Sequence, residues 1–253
     1  MQNQEQDWYF EHKNQLIKSR GLGRISWLVH GATTRRFNSE GEDKTPDLER
    51  LAVLLGFAPQ AYALADQVHG TRISVVDSQR LASHSSSPYC FLPETDGIIT
   101  SLPNVMLHVF TADCVPVFIV DTHTRRVGIL HAGWLGTLDQ LASKVVQQLT
   151  TLGSRTADLM AWIGPAIRKC CYEISPELMR QFRKRFSACS GFFDGRHLDL
   201  PLLNYWQLEV AGIPETHISL ANLCTKCNQD LLYSYRGNRH NKGRIISFLA
   251  IRQ

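Results

Sequence analysis

Between residues 97 and 131 the chain passes through four short apolar runs, at 97–100, 105–110, 116–120 and 126–131. Each is too short for an ordinary helix and rich in β-branched residues, so each is expected as a strand. Further strands are expected at 25–30, 61–68, 72–77, 158–163, 217–220, 231–235 and 244–251. Helical patterns interrupt them. Thr45-Pro46 followed by Asp47 reads as a helix start, with Leu48, Leu51, Ala52 and Leu55 as its buried stripe and Gly56 as its stop. Leu138, Leu141, Ala142, Val145, Val146 and Leu149 predict one long helix beginning just after Trp134. Ser175-Pro176 opens another, with Leu178, Met179, Phe182 and Phe186 inward, and one more is expected near 202–211. Runs of strands broken by a few helices indicate an α+β fold with mixed β-sheets.

The 253 residues suffice to bury a core without staples. Residues 1–21 are expected to be a polar N-terminal extension, frayed or loosely helical, and 22–253 a single domain; 81–90 is expected to be an exposed Ser/Pro-rich loop. No apolar run is long enough for a membrane span, and MQNQEQDWYFEHKNQ lacks the basic-then-apolar order of a secretory signal, so a cytoplasmic location is expected. The seven cysteines are an odd number, which fits free thiols better than a disulfide framework. A net charge of +4 gives little reason to expect a nucleic-acid partner.

Three segments put a metal-capable side chain at a strand end beside small residues: Gln67-Val68-His69-Gly70, Thr111-Ala112-Asp113-Cys114 and His131-Ala132-Gly133-Trp134. Two imidazoles and a thiolate suit Zn²⁺ with one position open. The plainer alternatives are a small buried cysteine and histidines making single hydrogen bonds. Asp113 is a candidate to orient an imidazole, to receive a substrate hydroxyl, or merely to cap a turn. Trp134 is either a wall for a flat substrate or a core residue. Free N–H groups around Gly133 and Gly136, with Arg35 and Arg36, make a candidate anion site. Cys170-Cys171 fit core packing better than chelation, being adjacent. Cys224-Thr225-Lys226-Cys227 has the gap of half a zinc knuckle, but no second such pair exists, so a site there needs borrowed ligands; a redox dithiol is the other option.

In order, the chain carries HG then TR, QVHG, a DG before a strand, TADC, HAGW-x-G, IGPAI-x-x-CCYE and LCT…YSYR…GR. This series resembles the YfiH/laccase-domain family of purine nucleoside phosphorylases, also described as multicopper polyphenol oxidases and including peptidoglycan editing factors. The likeness spans about residues 22–250. It implies a layered α/β/β/α fold shared with toxin-type cysteine–histidine deamidases, and a zinc centre held by His69, Cys114 and His131. It also implies phosphorolysis of adenosine, inosine, guanosine and methylthioadenosine, with adenosine deamination. Cys114, Asp113 and His131 are then the expected catalytic residues, and His30, Arg35, Gly133 and Trp134 the expected contacts to purine nucleoside and phosphate. Asp113 and His30 are both candidates for the proton donor in deamination. Leu135 stands where the family usually has arginine, and RRFNSEG where it usually has a glycine pair.

Copper is a reasonable substitute for zinc, but laccase-type centres rely on His-x-His pairs, and no two of the ten histidines are separated by one residue. A Cys114–His131 pair attacking a cell-wall precursor is the other enzymatic alternative. Arg236, Arg239, Lys242 and Arg244, with Tyr233 and Tyr235, form a basic patch read as a solvated hairpin or a substrate rim. A monomer or small homo-oligomer is expected.

Overall fold

A computed structural model describes residues 7–37, 47–84, 86–187, 190–238 and 242–253. The chain opens with the hairpin β1 (Trp8–Glu11) and β2 (Leu16–Ser19), followed by β3 (Leu28–Thr33). Helix α1 (Leu48–Leu54) starts where the Asp47 carboxylate accepts from the Arg50 N–H. Next come β4 (Ala61–Ala65), β5 (Ile73–Val76), the short α2 (Ser78–Ala82), β6 (Tyr89–Leu92) and β7 (Gly97–Thr100). Long buried strands β8 (Val105–Thr111), β9 (Val115–Asp121) and β10 (Val127–Ala132) lead into α3 (Trp134–Leu138) and α4 (Leu141–Thr151). After β11 (Leu159–Ile163), α5 (Pro176–Arg185) is capped by the Ser175 hydroxyl. A small hairpin, β12 (Phe193–Asp194) and β13 (His197–Leu198), precedes α6 (Leu200–Val210), β14 (Ile218–Leu220) and β15 (Ile245–Ile251).

Two mixed sheets result. One has the order β1-β2-β3-β15-β8-β4-β6 and the other β14-β11-β9-β10-β7-β5. Alternation along the strands sends side chains to opposite faces and so builds three cores. In β8, Val105, Leu107 and Val109 point between the sheets, where they meet Phe118, Val120, Ile129 and Trp162. Met106 points the other way and packs with Phe248 and with Leu48, Leu51 and Ala52 of α1. On the far side, Val115, Val117 and Ile119 of β9 pack under α4, α5 and α6 through Val145, Phe182 and Leu203. The layers therefore run α/β/β/α, an α+β fold with mixed sheets. Among the described residues no helix is long and apolar enough to cross a membrane.

Several local expectations need correction. Residues 8–19 are a hairpin, not frayed or helical: β2 pairs with β3, and Leu16 and Ile17 are fully buried. The strand expected at 25–30 begins at Leu28 rather than at residue 25, after a short 3-10 turn at Leu22–Arg24. Thr45 and Pro46 lie outside the described residues, and the cap of α1 is Asp47. The 81–90 segment is not all loop, since α2 covers its start and Cys90 is buried in β6. The single long helix after Trp134 is two, because Gln140 adopts a left-handed conformation (φ 60°) that a helix cannot continue through. The C-terminal end of α3 is secured by α6, where the buried Gln207 amide donates to the Thr137 carbonyl. Residues 231–235 form turns and irregular backbone rather than a strand.

Candidate metal centre and substrate cleft

β8 belongs to one sheet and β9 to the other, so the turn between them crosses the sandwich at its edge. That turn carries Asp113 and Cys114. β10 pairs with β9 so that His131 lies opposite Pro116 and Ala132 opposite Val115, which brings Cys114 beside the start of α3. His69 follows β4 in a left-handed conformation (φ 63°) and turns toward the same point. One ligand atom each from His69, Cys114 and His131 lie within 4.8 Å of one another. The two imidazoles meet edge to face with centroids 4.8 Å apart.

The surroundings are shaped for an ion. Asp96, fully buried just before β7, accepts from His131 Nδ1 at 2.8 Å and leaves Nε2 for a metal. The same carboxylate accepts from the backbone N–H groups of Val68, His69 and Gly70 at 3.3, 3.1 and 2.7 Å, which fixes the turn bearing His69. Burial alone would raise the Asp96 carboxyl, but His131 and these N–H groups hold it below its ordinary value. A Cβ at Gly133 would stand 3.0 Å from His69 Cδ2 and 3.4 Å from Cys114 Sγ, so glycine keeps the centre open. Burial opposes ionisation of Cys114, yet the neighbouring His131 and His69 bring its thiol down to about 6. Burial likewise opposes protonation of His131, but Asp96 and Cys114 raise it to about 9. A thiolate and two imidazoles, one braced by a carboxylate, are the donor set of a thiophilic divalent ion, and the residues present fit zinc or copper.

The centre floors a cleft of about 570 Å³, a size that suits a small organic ligand. Phe110, Ile167, Trp134 and Tyr172 give it apolar walls, and Arg236 and Arg244 line its rim. Trp134 is 39% exposed, a wall rather than a core residue. The Gln67 amide exchanges two hydrogen bonds with the backbone of Phe110, at 2.8 and 2.7 Å, and extends the β4–β8 pairing to the cleft edge.

Other candidates are placed differently. Asp113 lines the cleft, but its carboxylate is already occupied: it accepts from Thr225 Oγ1, Ser234 Oγ and the Arg236 N–H at 2.6, 2.7 and 2.6 Å. The acid that orients an imidazole is Asp96, not Asp113. The DG motif marks its position in the sequence, and its role emerges only in three dimensions. His30 does not reach the cleft. Strand alternation turns it between the sheets, where it faces the Trp162 ring and accepts from the Ser19 N–H at 3.1 Å. Arg35 is also absent from the cleft wall, because it donates to the Gln229 carbonyl and lies over the Tyr233 ring. Tyr172, in the CCYE motif, and Phe110 carry no polar pattern that marks them as cleft residues in the sequence. Cys170 is exposed, so core packing does not hold for it, whereas Cys171 is half-buried against the core beneath α5.

A model of the family described as multi-copper polyphenol oxidoreductase laccase matches residues 39–252. Purine nucleoside phosphorylase YlmD of Bacillus subtilis is 33% identical over 217 residues, covering 83% of this chain and 78% of the relative. Adenosine deaminase RL5, from an unknown prokaryotic organism, is 30% identical over 203 residues, covering 78% of each. The crystal structure of the hypothetical protein YfiH from Bacillus licheniformis superposes with a TM-score of 0.84 at 29% identity, covering 97% of this chain and 99% of that one.

Proposed function

The chain belongs to the multi-copper polyphenol oxidoreductase laccase family, whose members it resembles include purine nucleoside phosphorylases, and from that premise we propose that it is a zinc-dependent purine nucleoside phosphorylase that also deaminates adenosine. The observation that carries this reading is the placement of His69, Cys114 and His131 on the floor of a cleft with aromatic walls and a cationic rim.

Zinc bound by these three side chains supplies a Lewis acid at the cleft floor. Trp134 presents a flat face to the purine, and Phe110 and Ile167 keep water from its apolar edge. Burial pushes the Tyr172 phenol up to about 12, so at neutral pH it remains a hydroxyl and donates to the base as charge develops there. Arg236 and Arg244 bring positive charge to hold phosphate against the ribose. Arg236 is itself held in place by its backbone N–H on Asp113 and by stacking over Tyr172, so the phosphate and purine subsites are joined through one residue. Asp113 is thus a positioning residue, and Arg236 and Arg244 take the part that Arg35 was expected to play.

Incubation of metal-quantified protein with adenosine tests this. Adenine with ribose 1-phosphate is expected only when phosphate is present, inosine in its absence, and both are lost on chelation and restored by zinc. Arg244→Ala is expected to raise the phosphate KM about tenfold, equivalent to about 1.4 kcal/mol, with the adenosine KM little changed. Formation of neither product, or an unchanged phosphate KM, defeats the proposal.

The adjacency of Cys114 and His131 favours one second reading, a thiol hydrolase acting on peptide-like cell-wall precursors. Activity that survives metal removal, together with a covalent mass gain on Cys114, distinguishes it.

A further inference from the structure

Away from the cleft floor, four more thiols meet. Cys170 and Cys171 lie in the connection between β11 and α5, and Cys224 and Cys227 in the one after β14. The two connections are laced together: Ala166 and Cys224 form a bridge, the Ala166 N–H donates to the Leu223 carbonyl and the Thr225 N–H to the Ala166 carbonyl. All four Sγ atoms lie within 4.8 Å of one another, with Cys170–Cys227 at 3.6 Å and Cys171–Cys227 at 3.4 Å.

Those separations discriminate between the uses of a thiol. A disulfide needs sulfurs about 2.05 Å apart. Core packing needs burial, yet Cys170 and Cys227 are exposed and only Cys224 is buried. Four thiolates about 2.3 Å from one ion in a tetrahedron stand about 3.8 Å from each other, close to what is observed. An iron–sulfur cluster interposes several ions and sulfides and spreads its thiolates further apart. Four thiolates on a divalent ion leave excess negative charge, and the same two segments carry Lys169 and Lys226. Neither segment holds a complete CxxC pair of pairs; the adjacent cysteines of one supply the borrowed ligands that the other lacks.

We propose that Cys170, Cys171, Cys224 and Cys227 form a second, mononuclear tetrathiolate metal centre for zinc, closed and structural, distinct from the centre in the cleft. It clamps the two connections that furnish the cleft wall: Ile167 and Tyr172 line the cleft from one, and Thr225 of the other holds Asp113. Losing this ion loosens the wall while leaving His69, Cys114 and His131 able to bind theirs.

Elemental analysis of protein purified under reducing conditions tests the proposal without reference to activity. One zinc per cluster is expected, the Cys170→Ser/Cys227→Ser double variant losing one of the two and His69→Ala losing the other. In cobalt-substituted protein, thiolate-to-cobalt charge-transfer absorption should fall about fivefold in the double variant, since Cys114 is then the one ligating thiolate left. Amide exchange across 166–172 and 223–228 should speed up in the double variant. A wild-type protein with a single zinc and the charge-transfer intensity of one thiolate overturns the proposal, as does a disulfide among the four cysteines in mass spectrometry of the alkylated, unreduced protein. If the double variant does not fold, the wild-type cobalt intensity, that of five thiolates or of one, decides the matter alone.

Discussion

Asp96 accepts from His131 and from three successive backbone N–H groups, so one buried carboxylate sets both the orientation of one metal ligand and the turn that presents another. Replacing it by asparagine keeps the volume but removes the charge that favours a proton on His131 Nδ1. Asp96→Asn is expected to weaken zinc binding about 10–100-fold in competition with a chromophoric chelator; an unchanged affinity would show that His131 needs no bracing. At this scale the sequence is a mixed guide. His69 and His131 stand beside glycines and Cys114 at a strand end, but the DG motif that marks Asp96 gives no sign of the bracing it performs. His30 and Arg35 have suitable chemistry and the wrong direction, because strand alternation turns one between the sheets and the other lies over Tyr233, outside the cleft lining.

The β8–β9 turn is one of the connections that pass from one sheet to the other, and the Asp113 carboxylate ties it to the C-terminal segment. Asp113 sits at φ 99°, a conformation that a non-glycine residue holds only when surrounding bonds enforce it. Removing the carboxylate strands two hydroxyls and a backbone N–H at once. Asp113→Ala is therefore expected to cost about 3–5 kcal/mol in urea unfolding, since hydrogen bonds to a charged group are worth about 1.5–3 kcal/mol each. Ser234→Ala should cost about 1–2 kcal/mol. A loss below about 0.5 kcal/mol for Asp113→Ala, typical of unconstrained surface sites, contradicts the tether.

Across the molecule, two imidazoles besides His131 are buried in apolar surroundings, His30 between the sheets and His108 against Tyr62 on the opposite face of its sheet. Burial pushes His30 down to about 3, with nearby Lys18 adding to the effect, and likewise brings His108 to about 3 despite the backbone groups of Met106 and Ala63. Neither ring nitrogen of His108 makes a well-formed hydrogen bond among the described residues, and its ring lies against Tyr62. Above pH 6.5 both imidazoles are neutral in either state and contribute no pH dependence; as pH falls toward 3, the unfolded chain takes up protons that the folded one refuses, and stability declines. Each histidine should remove about 2 kcal/mol between pH 7 and pH 5. His108→Leu is expected to recover about half of that combined loss in denaturant unfolding, and parallel pH profiles for variant and wild type would refute it. Apolar period and local capping, which act within a few residues, determined by themselves the strands from 97 to 131, helix α5 with its Ser175 cap, and the three ligand-bearing strand ends. The hairpin at the N-terminus, the break at Gln140, the bracing by Asp96 and the gathering of four cysteines from two distant connections were decided only by tertiary structure, because each depends on partners far away in the chain that no local pattern encodes.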